Sequence, residues 1–287
     1  MYIIEQYKDC KRFNGQYMEI YQFLLKVADV GYNEHFHWGR FEWMMIHTLL
    51  DEDKLTSIAV FRDKTGEMVG LVTYDTSYND RAYLLHSISD KELLRNMVNF
   101  VVNNEDTTPV VKANSNDIQL CEVLKEQGFV RKNKEESVLQ IDLNKDLQYQ
   151  IPKDYCISSS NFEIDNWKYQ LVIHKGFNND GIPKMWESKF FESTPNYNKI
   201  LKVFAVNEEE YCAHCGVWYT QGNTAYIEPV VTIPNCRKLG LANAVVYEAL
   251  ARAKILGAKR AIVLSGQEFY FKIGFNISSD FYAWIKE

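Results

Sequence analysis

The chain repeats itself, and the repeat constrains its fold more than any single motif does. Gly31-Tyr-Asn-Glu34 returns as Gly176-Phe-Asn-Asn179, 145 residues later. Ala59-Val60 matches Ala205-Val206, and Gly70-Leu-Val72 matches Gly216-Val-Trp218, both at an offset of 146. Ala82-Tyr-Leu84 matches Ala225-Tyr-Ile227 at 143, and Gly128-Phe129 matches Gly274-Phe275 at 146. Five short matches in order, at nearly one offset, mark two copies of one domain. A chain of 287 residues has room for both. The polar stretch Asn144-Lys-Asp-Leu-Gln-Tyr-Gln-Ile-Pro152 is the natural boundary, giving expected domains 1–146 and 147–287.

The elements repeat too. In the first copy a helix is expected over Gln16–Ala28, with Ile20, Phe23, Leu24 and Val27 on one face. A second helical run covers Phe41–Leu50. Strands follow at Thr56–Arg62 and Met68–Asp75, joined by the hairpin turn Asp63-Lys-Thr-Gly66. Then come a strand at Arg81–Ser87, a helix at Lys91–Asn103, a strand at Pro109–Ala113, a helix at Asp117–Gln127 and a closing strand at Ser137–Leu143. The second copy gives helices at Phe162–His174 and Pro183–Phe191, and strands at Lys202–Val206, Tyr211–Thr220 and Thr224–Val231. A helix over Asn243–Leu256 stops at Gly257, a C-cap signal. Arg260–Leu264 reads as a strand, Glu268–Ile273 as a short helix and Phe281–Lys286 as a last strand.

Several function classes drop out early. No apolar run approaches a membrane span. The first residues, Met1-Tyr-Ile-Ile-Glu-Gln-Tyr-Lys8, read as neither a signal nor a transit peptide, so a cytoplasmic protein with no membrane partner is expected. The net charge of −6 argues against general nucleic-acid binding. Residues 1–145 carry all of it and residues 146–287 are neutral, so an anionic ligand meets less opposition in the second half. Six cysteines, at 10, 121, 156, 212, 215 and 236, read as reduced thiols. Cys212-Ala-His-Cys215 has the spacing of a metal pair, but no second pair completes it, and in a strand its two ends point to opposite faces. No metal site is expected.

One stretch breaks the symmetry between the copies. Val230-Val231 ends a strand-like run, Thr232 and a turn containing Pro234, Arg237, Lys238 and Gly240 follow, and Leu241-Ala-Asn243 opens a helix. Free N–H groups and the positive end of the dipole at such a helix N-terminus make an anion site. Arg237 and Lys238 add charge, and the small Gly240 and Ala242 let a phosphate approach the backbone. The first copy instead continues from Ala82-Tyr-Leu84 into Leu85-His-Ser-Ile-Ser-Asp-Lys-Glu-Leu-Leu94, with no glycine and no basic turn. Asp90 there suits a helix cap and repels a pyrophosphate.

The pattern Arg237-x-x-Gly240-x-Ala242 resembles the Arg/Gln-x-x-Gly-x-Gly/Ala signature of the GNAT N-acyltransferase superfamily. The element order, helices, strand meander, then helix–strand–helix–strand, resembles the fold of that family. The resemblance implies an α/β class of architecture: two tandem GNAT-like domains, each a mainly antiparallel mixed sheet flanked by helices, with a degenerate N-terminal copy. It implies acetyl-CoA as co-substrate, its pyrophosphate held at Arg237, Lys238, Leu239, Gly240, Leu241, Ala242 and Asn243. The pantetheine arm is expected against Val230, Val231 and Thr232, where the strand splays from its neighbour.

The resemblance extends to chemistry. Phe269-Tyr270-Phe-Lys-Ile-Gly274-Phe275 resembles the family's Tyr-x-x-x-Gly-Phe element, and Tyr270 matches the tyrosine that protonates the departing thiolate. The first copy has Leu124 at that place. Tyr270 also reads as a core aromatic. Glu228 matches a glutamate that takes the amine proton through water, and also reads as a solvent-facing carboxylate. His174, Phe177, Trp186, Trp218, Tyr219 and Tyr226 line an acceptor pocket or simply pack in the core. Cys215 and Cys236 lie near the expected cofactor, but neither is expected to carry the acyl group. The expected activity is transfer of an acetyl group to a primary amine of a small-molecule or peptide acceptor by direct attack in a ternary complex. The alternative is a non-catalytic acetyl-CoA-binding sensor or interaction module. A monomer or a homodimer fits either.

Overall fold

The computed structural model describes residues 2–8, 10–47, 50–76, 81–104, 108–183 and 194–287. The chain forms two compact units. The first comprises Met1–Leu139, Leu264–Tyr270 and Asn276–Glu287, and the second comprises Gln140–Val263 and Phe271–Phe275. The units thus do not follow the two halves of the sequence.

The first unit contains β1 (Ile3–Gln6), α1 (Gly15–Val27), α2 (Trp38–Ile46), β2 (Ala59–Arg62), β3 (Met68–Thr73), β4 (Arg81–His86), α3 (Lys91–Asn104), β5 (Val110–Asn114), α4 (Ile118–Glu126) and most of β6 (Phe129–Asp142). The chain's last strand, Asn276–Lys286, here called β12, also belongs to it. The strand order is β1-β2-β3-β4-β5-β12-β6. β1 through β4 pair antiparallel, β4 and β5 run parallel, and β12 lies antiparallel to β5 from Phe281↔Asn114 to Ile285↔Val110.

Local sequence explains the helices. Asn14 caps α1 by accepting from the Tyr17 N–H, and Ile20, Phe23, Leu24 and Val27 form its buried stripe. Burying a side chain of that size contributes about 1.5–3 kcal/mol. Leu93, Leu94, Met97 and Val98 of α3 join Leu120, Val123 and Leu124 of α4 and Trp284 of β12 in one core. Gly70 is tight against it: a Cβ there would lie 3.0 Å from the Met97 sulfur.

The second unit contains β7 (Cys156–Ile157), α5 (Asn166–Gly176), β8 (Lys202–Val206), β9 (Tyr211–Trp218), β10 (Thr224–Thr232), α6 (Leu241–Ile255) and β11 (Arg260–Leu264, whose last residue groups with the first unit). α7 (Glu268–Lys272) begins in the first unit and ends in the second. The strand order is β11-β10-β9-β8-β7, with β10–β11 parallel and the rest antiparallel. Asp165 caps α5 by accepting from the N–H groups of Trp167 and Lys168. α6 ends where Gly257 adopts φ +115° and its N–H bonds back to Lys254.

The Cys212–Cys215 stretch lies wholly in β9, and Cys212, His214 and Cys215 are buried there. His214 Nδ1 meets the Val203 carbonyl at 3.0 Å, its Nε2 meets the Tyr169 hydroxyl at 3.1 Å, and its ring stacks on Phe204. Burial holds this imidazole well below its ordinary pKa, so it packs as a neutral core group. No helix among the described residues is long and apolar enough to cross a membrane.

Most expected elements lie within a few residues of their observed positions. The large differences have physical causes. β6 starts at Phe129, eight residues before the expected Ser137, because its first part is an exposed polar ribbon with no apolar alternation to read. β1 and the two-residue β7 give too little pattern to detect. Thr56 and Ser57 close a 3-10 turn, Glu52–Ser57, capped by Asp51, rather than opening β2. α2 starts at Trp38 because His37 caps it through the Gly39 N–H. Most of the expected Pro183–Phe191 helix lies outside the described residues.

Candidate active site

The site is built on an irregular strand. β10 shifts register against β9 between Ile227 and Val230, at the cis Glu228–Pro229 peptide. Proline has no N–H to give the ladder. Opposite it stands Gly216, where a Cβ would lie 2.6 Å from the Glu228 carbonyl oxygen, so a side chain does not fit. On its other edge β10 pairs with β11 only from Thr224↔Arg260 to Tyr226↔Ile262, then runs on alone to Thr232. The two strands part there, leaving Val230, Val231 and Thr232 without a β11 neighbour.

Glu228 sits at the start of that opening and is half-buried. The Tyr226 hydroxyl, two residues earlier on the same face, donates to Glu228 Oε2 at 2.7 Å, and Trp218 Nε1 donates to the Glu228 carbonyl at 2.9 Å. Glu228 is therefore an oriented carboxylate rather than one free in solvent. Trp218, Tyr219 and Tyr226 are all buried. The Tyr219 hydroxyl bonds to the Gly222 carbonyl, which makes it part of a turn.

The turn after β10 is conformationally special. Pro234–Cys236 makes one 3-10 turn. Lys238 then takes φ +65° and Gly240 φ +82°, both left-handed, and α6 begins at Leu241. A Cβ on Gly240 would meet nothing nearer than 3.7 Å, so glycine is favoured there by φ and not by space. A left-handed lysine costs on the order of 1 kcal/mol and marks a conformation imposed by its surroundings. α6 has no side-chain cap and no acidic residue in its first turn. The N–H groups of Leu241, Ala242 and Asn243 lack helical partners by construction. Two buried oxygens, Asn243 Oδ1 in the first turn of α6 and Thr232 Oγ1 at the end of β10, have no hydrogen-bond partner. Uncapped N–H groups suit a phosphate, and the two oxygens suit the N–H and O–H groups of a pantetheine arm. The residues fit acyl-CoA.

The remaining expected residues differ in exposure and partners. Lys238 and Leu239 are exposed. The Arg237 guanidinium is turned onto the protein, donating to the Thr232 and Gly176 carbonyls and to Asn178 Oδ1. Val231 is buried against α5: a Cβ on Gly176 would lie 2.5 Å from the Val231 Cβ. Sequence reading missed this role of Gly176, although the glycine is itself part of the repeat. His174 bonds to the Gly181 carbonyl, and Phe177 is exposed. Trp186 lies outside the described residues. Cys236 is 3.9 Å from the Tyr155 hydroxyl, and burial pushes the Cys215 thiol pKa up, which suits an inert core thiol. Tyr270 is buried in α7, its ring edge-on to Phe269, and groups with the first unit. Among the described residues no three His, Cys, Asp or Glu side chains gather as metal ligands.

The sequence model described as the Acetyltransferase (GNAT) family matches residues 167–275. No curated protein matches the chain. Among solved structures, a tandem GNAT protein from the clavulanic acid biosynthesis pathway superposes with a TM-score of 0.62 at 11% identity, covering 100% of this chain and 98% of its own. A GCN5-related N-acetyltransferase from Sphaerobacter thermophilus gives 0.58 at 12% identity, covering 100% and 95%. The L-PGS structure from Bacillus licheniformis gives 0.55 at 10%, covering 98% and 94%. At such identities these likenesses speak for the fold, a mixed α/β architecture with largely antiparallel sheets flanked by helices. Residues 167–275 thus match the GNAT family model, in a chain whose fold resembles that of tandem GNAT proteins.

Proposed function

We propose that the chain is an acetyl-CoA-dependent N-acetyltransferase acting on a primary amine of a small molecule or peptide, with one cofactor site, in the C-terminal domain (147–287). The N-terminal domain (1–146) is a degenerate copy. The observation that carries the reading is the uncapped α6 N-terminus, reached through the left-handed Lys238 and Gly240, at the end of a strand that has parted from β11. Backbone from Lys238 to Asn243 cradles the pyrophosphate, and Val230, Val231 and Thr232 face the pantetheine arm. The bound thioester supplies an activated acetyl group. Glu228, held by Tyr226, accepts the proton of the attacking amine through water. A β10 N–H steadies the carbonyl oxygen as charge builds on it. Tyr270 returns a proton to the leaving sulfur. No side chain becomes acylated in this scheme.

Thermal shift with acetyl-CoA, followed by an amine panel read by free-thiol release, tests the proposal. A stabilised protein that releases thiol only with amine supports it. Absence of any shift at millimolar acetyl-CoA sinks it, since tight binding to the folded state must raise the melting temperature.

A further inference from the structure

Arg237 occupies the first position of the anion-site signature, yet its guanidinium bonds to protein. Nε donates to the Thr232 carbonyl at 3.1 Å, and Nη2 donates to the Gly176 carbonyl at 3.0 Å and to Asn178 Oδ1 at 2.8 Å. Thr232 is the last residue of β10, and Gly176 is the last of α5. Asn178 is itself left-handed, at φ +57°. A cation over the last carbonyl of α5 also lies at the negative end of that helix's dipole. The packing is close at the same place, since Gly176 leaves no room for a Cβ beside Val231. The turn needs external support, because a lysine at φ +65° persists only where neighbouring structure holds it.

We infer that Arg237 is a positioning residue. It latches the end of α5 to the end of β10 and so sets the turn whose backbone receives the cofactor phosphates. This rests on the acyl-CoA reading above and adds a consequence: the α5 C-terminus and the cofactor turn become ordered together. The planar fork is what the latch needs, and lysine lacks it while keeping the charge. A direct phosphate partner would need the charge above all, and lysine serves that role well.

Wild type, Arg237→Lys and Arg237→Ala are to be titrated with acetyl-CoA at several salt concentrations, and their unliganded amide hydrogen exchange followed at residues 175–179. The latch predicts that both variants weaken acetyl-CoA by about tenfold, the scale of losing one hydrogen bond to a charged group. It also predicts an unchanged salt dependence and faster exchange at 175–179. An Arg237→Lys protein within about twofold of wild type, beside a weak Arg237→Ala, overturns it, as does a salt dependence that falls in both variants. If wild type binds no acetyl-CoA, the functional reading fails on its own. Exchange at 175–179 then decides the latch, and unchanged exchange in Arg237→Ala defeats it.

Discussion

The two units contain the same strand junction in two states. In the second, β10 parts from β11 after Tyr226↔Ile262 and leads to an uncapped helix. In the first, β4 parts from β5 after Tyr83↔Lys112, but the gap is filled. The Asn33 side chain donates to the His86 carbonyl at 2.9 Å and accepts from its N–H at 3.3 Å, so one amide takes the place of a neighbouring strand. The His86 ring stacks on Tyr32 and meets Asp117 at 2.7 Å. The helix that follows is closed as well: Asp90 accepts from the Leu93 N–H at 2.8 Å, and Glu92 lies in the first turn. A junction kept for folding satisfies its own polar groups. The second junction leaves its helix N–H groups uncapped, as the proposed acyl-CoA site requires.

The largest test concerns Tyr270, whose counterpart in the first copy is the buried Leu124. Tyr270→Phe is expected to lower turnover at least 100-fold with acetyl-CoA affinity kept, the range found for a lost general acid. Unchanged turnover would return Tyr270 to the packing role of Leu124. Loss of thiol release with retained binding also distinguishes an enzyme from an acetyl-CoA sensor.

Both units hold a buried neutral imidazole, His35 in the first and His214 in the second. Burial lowers the His35 pKa to about 4, and that of His214 well below its ordinary value. The unfolded chain therefore binds more protons than the folded one between the ordinary histidine range and those lowered values. Stability is full above pH 6.5 and falls as pH drops toward 4, by on the order of 3 kcal/mol for His35 alone. Thermal melts from pH 7 to 4 check this, and His35→Gln is expected to flatten part of the slope. A melting temperature level across that window refutes the assignment.

Asn33 tests whether the first junction is only plugged. Asn33→Ala removes both bonds to His86 and is expected to cost about 2 kcal/mol, since buried backbone groups are left unpaired. Acetyl-CoA stoichiometry should stay at one per chain, because α3 remains capped. A second equivalent bound in calorimetry breaks the comparison.

Much of this was readable from sequence. The α1 stripe, the Asp90 cap and the turn from Arg237 to Asn243 follow from local rules that operate over a few residues. What was not readable depends on partners far along the chain. β12 is a strand by its own pattern, but nothing local says that it pairs with β5. The direction of the Arg237 guanidinium depends on where α5 ends, 61 residues earlier, at Gly176. Asn33 lies 53 residues from the strand it completes. The Tyr226–Glu228 bond, at i and i+2 of a strand, was within local reach and could have been anticipated from their shared face.

The sharpest test is also the smallest in energy, and it makes the second helix end resemble the first. Glu92 is the second residue of α3, and Ala242 is the second residue of α6. A carboxylate at that position favours the helix by about 0.3–1 kcal/mol through the dipole, so Ala242→Glu should leave the melting temperature level or slightly raised. The same charge opposes a pyrophosphate arriving at the same N–H groups, and acetyl-CoA affinity should fall about tenfold or more, an effect of roughly 1.4 kcal/mol. The two readouts are expected to move in opposite directions. If stability and affinity fall together, the substitution has merely disturbed packing. If stability holds and affinity is unchanged, the α6 N-terminus is not where the phosphates bind, and the contrast between the two junctions loses its functional meaning.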